Sequence, residues 1–183
     1  MKIELALAYM NSFIGSNGKE TGIPNLEGQT VKTVTRYVSG IGSQVTARNG
    51  VILEAGTKKE FGITNFENGN VLGANEYLMV TGIRLLIDKK ADVTPKTAVW
   101  GDVAPAPWLN GEIVISDEDG RLFESSITDV HNFKASASND DDFRTITPIL
   151  IRAEKRFELQ ALLAGAGAGE AFKLELRCIQ FKR

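Results

Sequence analysis

The 183-residue chain has little of what most enzymes use. It holds a single cysteine, Cys178, and a single histidine, His131. One thiol excludes an intrachain disulfide and any zinc site built from several thiolates. One imidazole excludes the metal-binding β-barrels that take two or more histidines, and neither H-x-H nor H-E-x-x-H occurs. No G-x-S-x-G accompanies His131, whose polar surroundings read as a solvent-exposed loop. Basic excess is also missing: 21 Lys and Arg against 23 Asp and Glu leave a formal charge of -2. Without it there is no global attraction to phosphate, and direct binding of nucleic acid is not expected. Residues 1–40, the natural place for a basic arm, set Lys2, Lys19, Lys32 and Arg36 against Glu4, Glu20 and Glu27. No run approaches the ~18–20 apolar residues of a membrane span. Glu4 interrupts MKIELALAYMN before it becomes a signal-peptide core. The expectation is a soluble protein made in a cytoplasm, with no membrane span and no cofactor.

What is present points to strands. Glycine is the one compositional excess, at 18 residues, and such a density suits many sharp reversals. Val31, Thr33, Thr35 and Tyr37 alternate with Lys32, Val34, Arg36 and Val38, and β-branched side chains dominate, as a pleated surface favours. Further strands are expected at 51–54, 60–64, 77–88, 112–116, 121–128, 146–153, 156–163 and 171–181, with Thr97–Trp100 as a short additional edge. About nine strands separated by turn signals indicate one all-β domain over residues 25–183. Residues 1–24 stand apart as an arm and linker. In the arm Ile3, Leu7, Met10, Phe13 and Ile14 recur at helical spacing. Ile3, Leu5, Leu7 and Tyr9 also alternate, so the arm is helical or extended.

The glycine motifs fail as phosphate cradles. Gly165, Gly167 and Gly169 read G-x-G-x-G, with Glu170 where a dinucleotide fingerprint requires its third glycine. Beyond Glu170 the chain alternates at a period of two and shows no helical stripe, so the glycine run is expected to be a tight hairpin turn between the last two strands. Gly15 and Gly18 lie too close for a P-loop, and Glu20 replaces the hydroxyl that would bind magnesium. A second hairpin is expected at GEIVISDEDGRLFESSIT, reversing at Asp117–Gly120. The acids Asp140, Asp141 and Asp142, and the pair Asp117 and Asp119, lack the spacing of a calcium loop. Cys178 shares the apolar face of its strand and reads as a small core hydrophobe. Trp100 and Trp108 lie in a proline-rich segment, either as contact residues or as a cover over the end of the β core.

An antiparallel β-sandwich of this size, with long end loops and a separate N-terminal arm, resembles the small single-jelly-roll virion proteins of viruses and bacteriophages. The segments that carry the resemblance are EYLMVTGIRLLID, GEIVISDEDGRLFESSIT and ILIRAEKRFELQALLAGAGAGEAFKLELRCIQF, within residues 45–183. It is a resemblance of pattern, and it implies a structural, self-assembling capsid or capsid-associated protein of the virion, without catalytic activity. Its partners would be further copies of itself and other virion subunits. Ile3, Leu7, Met10, Phe13, Ile14, Trp100 and Trp108 are the candidate subunit contacts. The alternative is a carbohydrate-binding β-sandwich that stacks sugars on Trp100 or Trp108, and the third choice is an enzyme using paired carboxylates.

Overall fold

The computed structural model describes Glu4, Ala8, Tyr9, residues 28–131 and residues 142–183. Among the described residues from 28 onward there are nine strands and three short helices. They are β1 (Thr30–Ile41), α1 (Gly42–Ala47), β2 (Lys58–Glu60), β3 (Thr64–Asn68), β4 (Glu76–Asp88), α2 (Ala106–Leu109), β5 (Glu112–Asp117), β6 (Gly120–Ser126), α3 (Ile127–Val130), β7 (Arg144–Ile151), β8 (Phe157–Leu162) and β9 (Ala171–Lys182). One sheet has the order β2-β3-β1-β9-β4-β7 and the other β6-β5-β8. Every pairing between these strands is antiparallel. The expected all-β antiparallel sandwich is therefore what the chain builds.

Alternation along the strands sets the two layers. Phe172, Leu174, Leu176 and Cys178 of β9 point inward with Leu78, Val80, Ile83, Leu85 and Ile87 of β4. They meet Ile113 and Ile115 of β5 and Phe157, Leu159 and Ala161 of β8. Cys178 is fully buried in this layer, and burial pushes its thiol up to about 12, which leaves it protonated and inert.

The expected hairpin at 112–126 forms, with the Asp119 amide donating to Asp117 Oδ1 (2.9 Å) and Gly120 at φ 136° closing the turn. The other expected hairpin does not. β8 pairs with β5 in the small sheet, whereas β9 lies between β1 and β4 in the large one, so the glycine run is a crossover between sheets. The apolar alternation of the two strands is the same in either arrangement and does not identify a partner. Only one of the three glycines is required by packing. A Cβ on Gly167 would collide with the backbone of Gly42, whereas at Gly165 and Gly169 the nearest atoms would lie 3.7 and 3.8 Å away. Gly167→Ala is expected to cost about 1–3 kcal/mol in urea unfolding. Gly165→Ala and Gly169→Ala should stay within about 0.5 kcal/mol. Equal effects at all three positions would show that this backbone contact is not what holds the crossover.

Three other expectations are corrected. Residues 61–63 are the turn between β2 and β3 rather than strand, since the Ile63 amide folds back onto the Glu60 carbonyl (3.0 Å). Of 51–54 only Val51 pairs, through a bridge to Gln160. Thr97–Trp100 forms no strand. Its Val99 amide donates to the Asp88 carboxylate (2.7 Å), and the amides of Gly101 and Asp102 both reach the Ile87 carbonyl (3.1 Å each).

Three of the four edge strands, β2, β6 and β7, are blunted. β2 is three exposed residues, two of them lysine. β6 and β7 each carry a register shift, at Ile115/Ser116 and at Val80/Gly82 of their partner strands, and β7 contains Pro148. Short length, charge, bulges and proline all oppose the addition of another strand.

Candidate functional site

Among the described residues no second sheet lies above the outer face of the six-stranded sheet, yet its central strands are not left to solvent. All thirteen residues of β4 are buried, so this strand is covered on both faces. On β9 the outer positions read Lys173, Glu175, Arg177, Ile179 and Phe181, charged toward one end and apolar toward the other. The cross-strand neighbours follow suit: Arg84 stands opposite Glu175, Met79 opposite Ile179 and Tyr77 opposite Phe181.

At the apolar end Tyr77, Met79, Ile179 and Phe181 form a cluster separate from the main core, each at most 7% exposed. Val31, Leu150 and Ala153 border it, and Tyr9 packs onto it from the N-terminal segment. The Tyr9 hydroxyl donates to the Pro148 carbonyl (3.0 Å). The seat therefore combines apolar burial of a ring with one directed hydrogen bond at its polar tip. Glu4, Ala8 and Tyr9 are helical. The stripe residues Ile3, Leu7, Met10, Phe13 and Ile14 lie outside the described residues.

At the charged end Arg84 meets Glu175 (2.5 Å) and Asp142 (3.6 Å), and Lys173 meets the other Glu175 oxygen (2.6 Å). The guanidinium groups of Arg84 and Arg177 approach the Phe143 ring, at 4.4 and 5.2 Å from its centroid, and Lys173 lies 4.8 Å from that of Tyr37. Asp142, the one described member of the acidic triplet, is thus an ion-pair partner. Asp140 and Asp141 lie outside the described residues. Asp119 is likewise engaged, by Lys155 and Arg152 at 3.0 Å each, and these cations hold its carboxyl below the usual range. Among the described residues no three His, Cys, Asp or Glu side chains converge on a metal position.

A cavity of about 490 Å³ opens at the end of the sandwich where β1 passes into α1. Val38, Val45, Ile52 and Phe172 make its apolar wall. Its rim carries two ion pairs, Arg48 with Glu54 (3.4 Å) and Lys96 with Glu60 (2.6 Å). Both pairs are well exposed and contribute little to stability. They leave the rim balanced in charge, and each carboxylate already has a cation.

Behind this end lies Trp108, which has no exposed surface. Its ring packs on Phe172 with centroids 5.2 Å apart, and its Nε1–H donates to Glu170 Oε1 (2.6 Å). Trp108 is therefore a core plug, and its side chain offers no surface to a subunit or a sugar. Trp100 is half-buried and remains the one of the pair that reaches the surface. His131 is also corrected: it is half-buried, accepting from the Ala104 amide at Nε2 (3.0 Å) and facing the Leu85 carbonyl with Nδ1 (3.2 Å). That pattern is satisfied by the neutral ring with its proton on Nδ1, and burial lowers its pKa accordingly.

Sequence reasoning missed the outer-face seat. Its signal was present in EYLMVTGIRLLID, which is apolar at both parities, and in the change from charged to apolar outer positions along LELRCIQF. The large exposed hydrophobics among the described residues are Phe61, Val99 and Val103, all on loops. Phe61 lies beside Gly62, which meets Lys96, and Val99 is tied to Asp88 at the end of β4, so these loops share the end that holds the cavity. No protein-family model and no curated protein matches the chain.

Proposed function

We propose that the chain is a structural, self-assembling virion subunit of single-jelly-roll type, a capsid or capsid-associated protein made in a host cytoplasm and working without catalysis. The observation that carries this reading is the strand order. A jelly roll is two Greek keys wound into eight strands, so that one sheet interleaves the first, eighth, third and sixth and the other the second, seventh, fourth and fifth. Counting β1 as the first strand and the bridged segment at Val51 as the second, the large sheet reads first, eighth, third, sixth through β1-β9-β4-β7. The small sheet reads second, seventh, fourth, fifth through Val51, β8, β5 and β6. The β2–β3 hairpin is then an insertion that widens the large sheet. Blunted edges support discrete contacts between faces and loops instead of open-ended strand addition.

Light scattering on the full chain at micromolar concentration tests the reading. The expected result is a homo-oligomer, with mass lost when the chain begins at Gly22. A monomer overturns self-assembly, whereas an unchanged oligomer after truncation removes only the role of the arm. The carbohydrate-binding alternative retains Trp100 and the charge-balanced end cavity as its support and loses Trp108.

A further inference from the structure

We infer that His131 is an acid-sensitive latch: the neutral ring holds the strap 99–105 against the end of β4, and a second proton on the ring releases it. The contact fixes which form of the ring can hold. The Ala104 amide can only donate, so Nε2 must present a lone pair to it (3.0 Å), and the Leu85 carbonyl can only accept, so Nδ1 must carry the proton (3.2 Å). Both partners are main-chain groups, whose hydrogen-bonding sense is the same at every pH. Protonation places an N–H on Nε2 and sets two donors face to face.

The strap is the side that yields. His131 itself is pinned, its amide donating to the Ile127 carbonyl (2.8 Å) and its backbone bridging Leu85 of β4. The strap is held by the Val99 amide on Asp88 and by the Gly101 and Asp102 amides, which share the Ile87 carbonyl. Pro105 has no amide N–H, so the Ala104 contact is the last backbone anchor before α2. Ala104 is buried in the main core, and its amide reaches water only if the strap lifts. His131 is the chain's one histidine, the side chain whose ordinary pKa lies between pH 5 and 8. The ionisable groups on the elements around it are otherwise engaged or exposed. Asp102 accepts from the Lys89 amide, Asp88 from the Val99 and Lys90 amides, Arg84 pairs with Glu175 on the outer face, and Asp129 of α3 is exposed. Burial lowers the pKa of the held ring, so the released ring binds the proton more readily. The latch is therefore at full strength above about pH 6.5, the ordinary value that the released ring regains, and weakens as pH falls towards and through the lower value of the held ring. Within that window each pH unit raises the open fraction by up to about 10-fold.

Amide hydrogen exchange read by NMR on the full chain, with the imidazole 15N shifts followed in the same sample, tests the latch. At pH 7.5 the expected result is a ring protonated at Nδ1 and a protected Ala104 amide. Between pH 7.5 and 5.0 the Ala104 protection factor, referred to an unstructured chain at each pH, should fall about 10-fold, while the amides of β4 and β9 keep theirs. His131→Gln supplies an oxygen acceptor that does not titrate and should flatten the profile. A proton on Nε2 at pH 7.5 overturns the latch. So does Ala104 protection unchanged at pH 5.0, whether or not the ring has taken up its proton. A fall shared equally by β4 and β9 reports global unfolding and also overturns it, as does a fall that persists in His131→Gln. If that variant does not fold, the wild-type comparison of Ala104 with β4 and β9, set against the titration of the ring, still decides.

Discussion

Replacing Trp108 with alanine is expected to destabilise the protein by about 3–5 kcal/mol, the range for truncating a large buried aromatic. The side chain has no exposed surface and fills the space between Phe172 and the turn that leads into β5. Its removal also takes the indole N–H from Glu170, a buried residue whose other carboxylate oxygen accepts from the Ala168 amide (2.9 Å). Trp108→Phe separates the two effects. Phenylalanine keeps most of the apolar volume and loses only the donor, so it should cost about 1–3 kcal/mol, the range for leaving one buried polar group short of a partner. Urea unfolding followed by circular dichroism reads both variants without relying on tryptophan emission. If Trp108→Ala lowers stability by less than about 1 kcal/mol, the plug assigned to this residue is wrong.

Truncating Glu76 is expected to cost about 3–5 kcal/mol, because it leaves a buried guanidinium without its counter-charge. Glu76 and Arg36 are 6% and 13% exposed at their side chains and meet at 2.7 Å. Gln180 donates to the same carboxylate oxygen, and Lys182 approaches the other at 3.7 Å, from a position exposed enough to add little. Arg36 also donates to the Asn65 carbonyl (2.9 Å) and lies over the Phe66 ring, so its head cannot turn out to water without giving up both. Glu76→Ala therefore strands a charge. The double variant Arg36→Met, Glu76→Leu removes both ions together and should recover at least half of the loss, since a buried pair seldom outperforms apolar side chains of similar volume. Stability of Glu76→Ala within about 0.5 kcal/mol of the parent would show that solvent reaches the arginine after all.

The strands themselves are legible because their signals are local. Period-two alternation marks β1, β8 and β9, a short apolar run marks β5, and the Asp117–Gly120 reversal marks the β5–β6 hairpin, since each depends on residues adjacent in the chain. The burial of Cys178 follows from its parity on β9 in the same way. Local signals fail where a local donor finds a distant acceptor. Thr97–Trp100 has the composition of a strand, but its Val99 amide is taken by Asp88 at the end of β4 and its Thr97 amide by the Thr94 carbonyl. His131 sits in a polar stretch, yet its ring is held between Ala104 and Leu85.

What only the tertiary structure decided is partnership. Alternation states that a strand has one apolar face and leaves open which strand lies beside it, so it joins β8 and β9 as a hairpin although they belong to different sheets. The two tryptophans lie eight positions apart in the same proline-rich segment, and only the packing of Phe172 and Glu170 around one of them separates a core plug from a surface residue. The seat for Tyr9 draws on β4, β7, β9 and the start of β1, brought together by pairings that cross most of the chain. The sequence by itself determined which segments extend and which faces avoid water, because backbone geometry and side-chain parity act over a few residues. Which faces close on each other is a choice among many apolar surfaces of similar free energy, and it is made by shape, buried charge pairing and hydrogen bonds that exist only once the chain has folded.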